Sequence, residues 1–340
     1  MANLKTSYMG LELKNPIIVG ASNLTADPDN LKRIEDAGAA AIVYKSLFEE
    51  QVQLENLEIS ELKTEYEDRN AEMVTLFPSS PSASLSPLEF LMNLKKAKES
   101  VSIPVFASLN AVNDEAWVEY AVKLQETGVD GIELNFYSVP EYFDKEGVNI
   151  EKHQLRTLLK VKGALKIPVA VKLSPFYTNA LRFISDLDRA GADGVVFFNR
   201  LLQPDIDTEN NQHIFPYSLS YPDDNRLPMR FAGLLFANIN SSICANSGIY
   251  SGNDVIKMIL AGAGSVQVVS TLYRNQIEVI GKMLSDIEKW MDAGGFADIM
   301  SFRGNLSRNR TENKLPYQRA QYVDLMINAT EMLKKYKVIN

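Results

Sequence analysis

Lysine and asparagine recur in this 340-residue chain at one kind of place, the point where an apolar, β-branched run stops. Lys45 stands near the end of AAIVYKS, Lys172 near the end of VAVKLS and Asn135 near the end of GIELNF, and Asn199 ends GVVFFN. Amides and ammonium groups together hold an anionic, carbonyl-rich planar group by hydrogen bonds, and the two lysines would stabilise negative charge developing on such a ring. Small and hydroxyl residues stand at the same kind of position. They are Ala21, Ser22 and Asn23, then Ser46, Ser108 and Asn110, Ser138, Ser174, Asn246-Ser247-Gly248 and Ser270-Thr271. Lys45 and Lys172 sit inside apolar runs, where a merely solvated lysine is uncommon, so both read as functional. Each serine or asparagine taken singly reads equally well as a solvated turn.

What is missing narrows the chemistry. No carboxylate pair and no histidine occupies these positions, which argues against two-carboxylate glycosidase chemistry and against a Ser-His-Asp hydrolase. The two histidines, His153 and His213, read as structural or surface residues, and the single cysteine, Cys244 in ICANSG, reads as a small buried apolar residue. One cysteine excludes an internal disulfide, a Cys-rich zinc site and an iron–sulfur cluster borne by this chain. A net charge of -8 lacks the basic footprint of a nucleic-acid binder. The opening MANLKTSYMG is neither a signal peptide nor a membrane anchor, and no apolar run approaches ~18 residues. A cytoplasmic protein with a small-molecule substrate is expected.

Repetition along the chain shows what positions these residues. Ala37-Gly38-Ala39, Thr127-Gly128-Val129-Asp130-Gly131, Ala190-Gly191-Ala192-Asp193-Gly194 and Ala261-Gly262-Ala263-Gly264 each stand between a segment of helical period and a β-branched run. Glycine after a helix supplies the left-handed cap, and the run after it reads as a strand buried on both faces. A second phrase, SIPVFASLN and KIPVAVKLS, opens two further strands with proline. Strands are expected at about 15–21, 40–46, 104–109, 131–136, 168–173, 194–199, 241–246 and 265–270. Helical period appears in LKRIEDAG, EAWVEYAVKLQETG, LRFISDLDRAG, NDVIKMILAG and GKMLSDIEKWMDAGG. Eight alternating units predict an α/β fold, a (β/α)8 TIM barrel formed by residues 1–340 as a single domain. An open doubly wound sheet is the alternative, without its usual Gly-rich fingerprint. LKTSYMGLELKNP reads as an N-terminal hairpin turning at Met9-Gly10 and plugging the bottom of the barrel. Insertions at about 47–95, 137–150 and 200–235 all follow strand C-terminal ends, the face that carries barrel active sites. Small residues at 246–248 and 270–271 fit an anion-binding pair of loops after the last two strands, and hence a phosphorylated cofactor with a planar head.

With these motifs in order, the chain resembles the dihydroorotate dehydrogenase family, FMN-dependent barrels of pyrimidine biosynthesis. The resemblance runs from LELKNPIIVGAS to FADIMSFRGNLS. It implies Ala21, Ser22, Lys45, Ser46, Asn110, Asn135 and Lys172 around the flavin, with Ser247, Gly248, Ser270 and Thr271 at its phosphate. It implies Lys45, Asn135 and Asn199 at the substrate, and catalysis by Ser138 with Lys45. The family's base stands three residues after the fourth-strand asparagine, a cysteine in soluble members and a serine in membrane-associated ones; here Ser138 holds that place. A homodimer is also implied.

Three positions depart from the pattern. Residues 66–88, which include AEMVTLFPSSPSASLSP, have no counterpart of the family's substrate-gripping loop. Val139-Pro140 follows Ser138, and Arg200 follows Asn199 where a small hydroxyl residue is usual. Another dihydropyrimidine or cyclic amide therefore stands beside dihydroorotate as substrate. A non-catalytic flavin-binding barrel and a Schiff-base lyase using Lys45 or Lys172 are the further alternatives. The electron acceptor is left open between fumarate, a quinone and a separate electron-transfer subunit.

Overall fold

The computed structural model describes residues 2–50, 87–111, 113–138 and 143–327. Eight parallel strands close into a barrel. They are β3 (Ile17–Val19), β4 (Ala41–Phe48), β5 (Val105–Asn110), β6 (Gly131–Phe136), β7 (Val169–Leu173), β8 (Gly194–Phe197), β11 (Ser242–Asn246) and β12 (Ser265–Val268). Their order around the barrel is the chain order, with β8 pairing to β11 and β12 returning to β3. Each expected strand is present. The sixth ends at Phe197, short of Asn199, and Ser270 opens a helix instead of closing the eighth.

Among the described residues the helices between the strands are α1 (Pro28–Asp36), α2 (Pro87–Ser100), α3 (Asp114–Glu126), α4 (Gly147–Ala164), α5 (Ala180–Arg189), α6 (Arg226–Leu235) and α7 (Gly252–Ala261), and α8 (Ser270–Asn275), α9 (Val279–Gly294) and α10 (Ala320–Ile327) follow the last strand. The insertions are shorter than expected. Residues 87–95 belong to α2, 147–150 to α4 and 226–235 to α6, so each of those stretches is a helix of the outer ring. Residues 51–86 of the first insertion, and Val139-Pro140, lie outside the described residues. The third insertion carries a small hairpin, β9 (Asp205–Asp207) with β10 (Gln212–Ile214).

All four junction glycines, Gly38, Gly128, Gly191 and Gly262, have positive φ, as the repeated phrase requires. The aspartates in the same phrase have a role of their own. Asp130 Oδ2 accepts the Val105 N–H at 2.7 Å and the Lys98 ammonium at 2.6 Å. Asp193 Oδ2 repeats this two units further on with Val169 N–H at 2.7 Å and Lys162. Each aspartate thus ties the start of the preceding barrel strand to a lysine of the outer helix ring.

Strand side chains alternate between two cores. Ile17, Val19, Ile42, Tyr44, Val105, Leu109, Val169, Val171 and Val195 pack with the helices in the larger one. Ile18, Ala41, Val43, Phe106, Ala170, Val196 and Cys244 pack with Tyr8, Met9 and Leu13 in the other, inside the barrel. This period of two is the signature of a strand with both faces buried. The N-terminal hairpin, β1 (Thr6–Tyr8) with β2 (Leu11–Leu13), turns through Met9 and Gly10, both at positive φ. Its tip enters the barrel floor. The ring of Tyr8 lies edge-on to Phe106 at 5.5 Å, and Met9 N–H donates to Ser242 Oγ at 2.9 Å. Room for the tip comes from small inward residues: a Cβ on Gly194 would stand 3.1 Å from Met9 Cγ and 3.2 Å from a Tyr8 ring carbon.

The plug yields a prediction. Gly194→Val overfills the floor and should cost about 1–3 kcal/mol of stability, read as a lowered urea midpoint with unchanged slope. A midpoint equal to that of the wild type would mean that the hairpin does not fill the floor tightly.

Candidate active site

Because alternate strand residues face the axis, the last inward position of each strand points toward the C-terminal mouth. Chain alternation places Asn110 in phase with Phe106, Asn135 with Gly131, Lys172 with Ala170, Asn246 with Cys244 and Gln267 with Ser265. The barrel therefore changes character along its axis, from apolar and small below to amide and ammonium above. In β4 the pairing with β5 slips by one residue between Tyr44 and Leu47, a bulge at Lys45 and Ser46. A bulge re-aims side chains, and here it falls on the two residues singled out by sequence. Ser46 Oγ meets Ser108 Oγ at 2.7 Å in the interior.

One cleft opens at this end of the barrel. Ala21, Lys172, Asn199, Ser247, Gly248 and Ser270 line it, as do Arg200, Ser220, Asn246, Gln267 and Val269. Six of the sequence-derived site residues are thus brought together. Asn135 stands one step behind, accepting a hydrogen bond from Asn199 Nδ2. Ser22, Lys45, Ser46 and Asn110 are at or near the ends of their strands but outside the cleft lining. Thr271, next to Ser270 in the first turn of α8, is buried, and its hydroxyl donates to the Tyr250 carbonyl at 3.2 Å, a tie to the loop after β11. Ser138 is half-buried just past the end of β6, also outside the lining.

The two ends of the cleft differ. At the floor, Lys172 Nζ donates to Gln267 Oε1 at 3.0 Å and faces Glu133 Oε1 at 3.4 Å, while Gln267 Nε2 donates to Glu133 Oε2. Glu133 and Gln267 are each about 1% exposed. At the other end, Ser220 is held on three sides. Its N–H and Oγ donate to Ser270 Oγ at 3.0 and 2.8 Å, Gly248 N–H donates to Ser220 Oγ at 3.3 Å, and Tyr250 Oη donates to the Ser220 carbonyl. Arg200 spans the wall between, pairing with Asp224 at 2.6 Å and Ser218 at 3.1 Å, with its Nε buried and unpartnered. Among the described residues no cluster of His, Cys, Asp and Glu is fit to hold a metal ion.

Sequence reasoning missed Ser220, Gln267 and Glu133. Ser220 lay in a loop with no local signal. Gln267 and Glu133 were hidden inside apolar strands, where a polar residue in VQVV or IELN was itself the available clue. Cys244 is as expected: burial pushes its thiol up to about 12.

A barrel with a cation and amides at the floor of its C-terminal cleft, and hydroxyls with a backbone N–H at the other end, has a donor set suited to an anionic, carbonyl-rich ligand. The match of residues 86–291, more than half the chain, to the dihydroorotate dehydrogenase family model shows that the chain belongs to that family. Enzymes of this family are flavin-dependent oxidoreductases acting on a CH–CH group. The chain is 27% identical over 312 residues to a Thermoplasma volcanium protein, covering 89% of this chain and 98% of the relative. It is 29% identical over 316 residues to one from Methanosarcina mazei, covering 89% and 96%, and 30% identical over 294 residues to one from Methanocella arvoryzae, covering 83% and 91%. Each of these relatives is named the catalytic subunit of dihydroorotate dehydrogenase B (NAD(+)). Among the described residues no helix is long and apolar enough to cross a membrane.

The cleft and the barrel interior beneath it each yield a prediction. Gly248 has φ +69°, and a Cβ there would stand 2.4 Å from Asn225 N and 2.8 Å from the Tyr221 carbonyl. Gly248→Ala should therefore destabilise the protein by more than about 1–2 kcal/mol, the left-handed strain alone, and weaken cofactor retention on gel filtration. Cys244 should resist alkylation by iodoacetamide at pH 8 in the native protein and react fully in urea, because a thiol titrating at about 12 stays protonated there.

Proposed function

We propose that this chain is an FMN-dependent dehydrogenase that oxidises dihydroorotate to orotate in pyrimidine biosynthesis. The observation that carries the reading is the cleft itself, in which Lys172 and Asn199 stand at one end and Gly248, Ser220 and Ser270 at the other. That donor set suits a planar, carbonyl-rich ring joined to a phosphate. Lys172 would hold the ring edge, with Gln267 behind it on the Lys172 ammonium, and Ser247, Gly248, Ser270 and Ser220 would hold the phosphate, with Ala21 small enough to let the ring lie close. Ser22, Lys45, Ser46, Asn110 and Asn135 complete the proposed flavin surroundings. Thr271 joins the phosphate end through its place beside Ser270 in the first turn of α8, where its hydroxyl also braces the loop after β11. When bound, the flavin supplies the two-electron acceptor for the hydride that leaves the substrate.

The chain's own residues do the rest. As Ser138 Oγ takes the proton from the substrate carbon, its own hydroxyl proton leaves to a neighbouring hydroxyl or water, because a neutral serine alone is a weak base. Lys45, Asn135 and Asn199 hold the substrate carboxylate and ring amides. The Asn199–Asn135 hydrogen bond leaves Asn135 Nδ2 free to donate to a ring carbonyl.

Arg200 favours a second reading, another dihydropyrimidine or cyclic amide as substrate. Its guanidinium lines the cleft where a small hydroxyl residue is usual. The divergent stretch at 66–88 supports the same reading, and its residues 66–86 lie outside the described residues. For the acceptor, the names of the relatives support NAD(+) reached through a partner subunit, since one cysteine cannot ligate a cluster in this chain. A homodimeric, cytoplasmic catalytic chain forming one domain over residues 1–340 completes the proposal.

The test is anaerobic stopped flow. Dihydroorotate should bleach the flavin band of the wild-type protein, and Ser138→Ala should slow that step by about 100- to 10,000-fold with flavin content unchanged. Rapid bleaching by both proteins would make Ser138 an ordinary loop serine. A flavin that only another cyclic amide reduces would establish the second reading.

A further inference from the structure

Resting on the flavin reading above, we propose that Glu133 is a positioning residue that, directly and through Gln267, fixes the Lys172 ammonium at the floor of the cleft. Three observations lead there. Glu133 is a carboxylate inside a barrel of hydrocarbon, about 1% exposed, and a buried charge persists only when it is compensated. Its compensation is Lys172 at 3.4 Å, too long for a strong hydrogen bond, and Glu133 Oε1 has no hydrogen-bond donor of its own. The second oxygen is held by Gln267, whose own carbonyl accepts from Lys172 at 3.0 Å.

Gln267 is therefore read at both ends by charge. With its NH2 on the carboxylate and its carbonyl on the ammonium, both contacts are favourable; a flipped amide would set like polarity against each. That fixes the amide, and the amide fixes Nζ. A lysine ammonium carries three N–H donors. One is committed to Gln267, and the long contact to Glu133 is a charge–charge contact that binds no donor tightly. Donor capacity is left for a ligand in the cleft that Lys172 lines. The arrangement differs from a simple salt bridge, which would draw the ammonium down onto the carboxylate. Register supports it: Glu133 stands opposite Ala170 in β7, so its carboxylate lies one inward layer below Lys172, which stands opposite Asn135.

The test is a double-mutant cycle on the protein reconstituted with FMN, using Gln267→Met, Glu133→Gln, Lys172→Met and each of the first two combined with Lys172→Met. The readout is the reduction potential of the bound flavin. Lys172→Met should lower it, since a cation favours the reduced, more negative ring. Gln267→Met changes no charge, so it should lower the potential only while Lys172 is present and have no effect beside Lys172→Met. Glu133→Gln removes a negative charge in either background. The part of its shift that disappears with Lys172 is the positioning effect, and equal shifts in both backgrounds would overturn the proposal.

Thermal melts of the same five variants and the wild type, all without cofactor, give a second reading that does not depend on flavin. Glu133→Gln should lower the melting temperature more than the neutral double variant does, because removing one partner strands a buried charge. Additive losses would contradict the pairing. If Glu133→Gln fails to fold while the neutral double variant folds, the coupling is shown directly. If both fail and Lys172→Met folds, Glu133 serves only the fold. A wild-type protein that takes up no FMN would sink the flavin reading, while the melts would still decide the Glu133–Lys172 link.

Discussion

Closing eight parallel strands into a barrel turns every second side chain toward one axis, and the axis holds few of them. The rest of this structure depends on how that limited space is divided. The lower part is given to Ala41, Ala170, Gly131 and Gly194, which leave a hole that the tip of the N-terminal hairpin fills. The upper part is given to Lys172, Gln267, Asn135 and Asn246. Amides and ammonium groups tolerate that position only because it opens to a cleft and because Glu133 balances the lysine from below.

This division explains why the chemistry gathers at the C-terminal mouth. Backbone geometry fixes the inward side chains there to within the rigidity of the sheet, whereas the loops above supply what the strands cannot. The loop holding Ser220 is the clearest case, since it closes on the loops after β11 and β12 and turns two separate strand ends into one continuous hydroxyl and N–H surface. Tyr137 adds a similar tie, accepting the Leu202 N–H at 3.1 Å and so linking the end of β6 to the excursion after β8.

Much of this was legible in the sequence because the signals were local. A glycine after a helix followed by a β-branched run marks a strand start within a few residues, and each of the eight expected strands was found. The hairpin at Met9-Gly10 was legible for the same reason. Lys45 and Lys172 stood out because a lysine inside an apolar run is chemically conspicuous. What escaped was non-local or disguised. Ser220 reaches Gly248 and Ser270 across 28 and 50 residues of chain, and nothing in SLSYPDD announces it. The tie from the Thr271 hydroxyl to the Tyr250 carbonyl, 21 residues back in the chain, was equally hidden. The starts of α2 and α6 were not legible inside the expected insertions because the sequence leading into each is proline- and serine-rich or polar.

The central claim is that the cleft is a site for a phosphorylated flavin, with the hydroxyl and N–H end serving the phosphate. It is tested most directly by titrating the cofactor-free protein with FMN and with riboflavin and following the quenching of flavin fluorescence. Several charge-assisted hydrogen bonds to a phosphate should make FMN bind at least about 100-fold more tightly than riboflavin. Equal affinities, or no binding of either, would contradict the account.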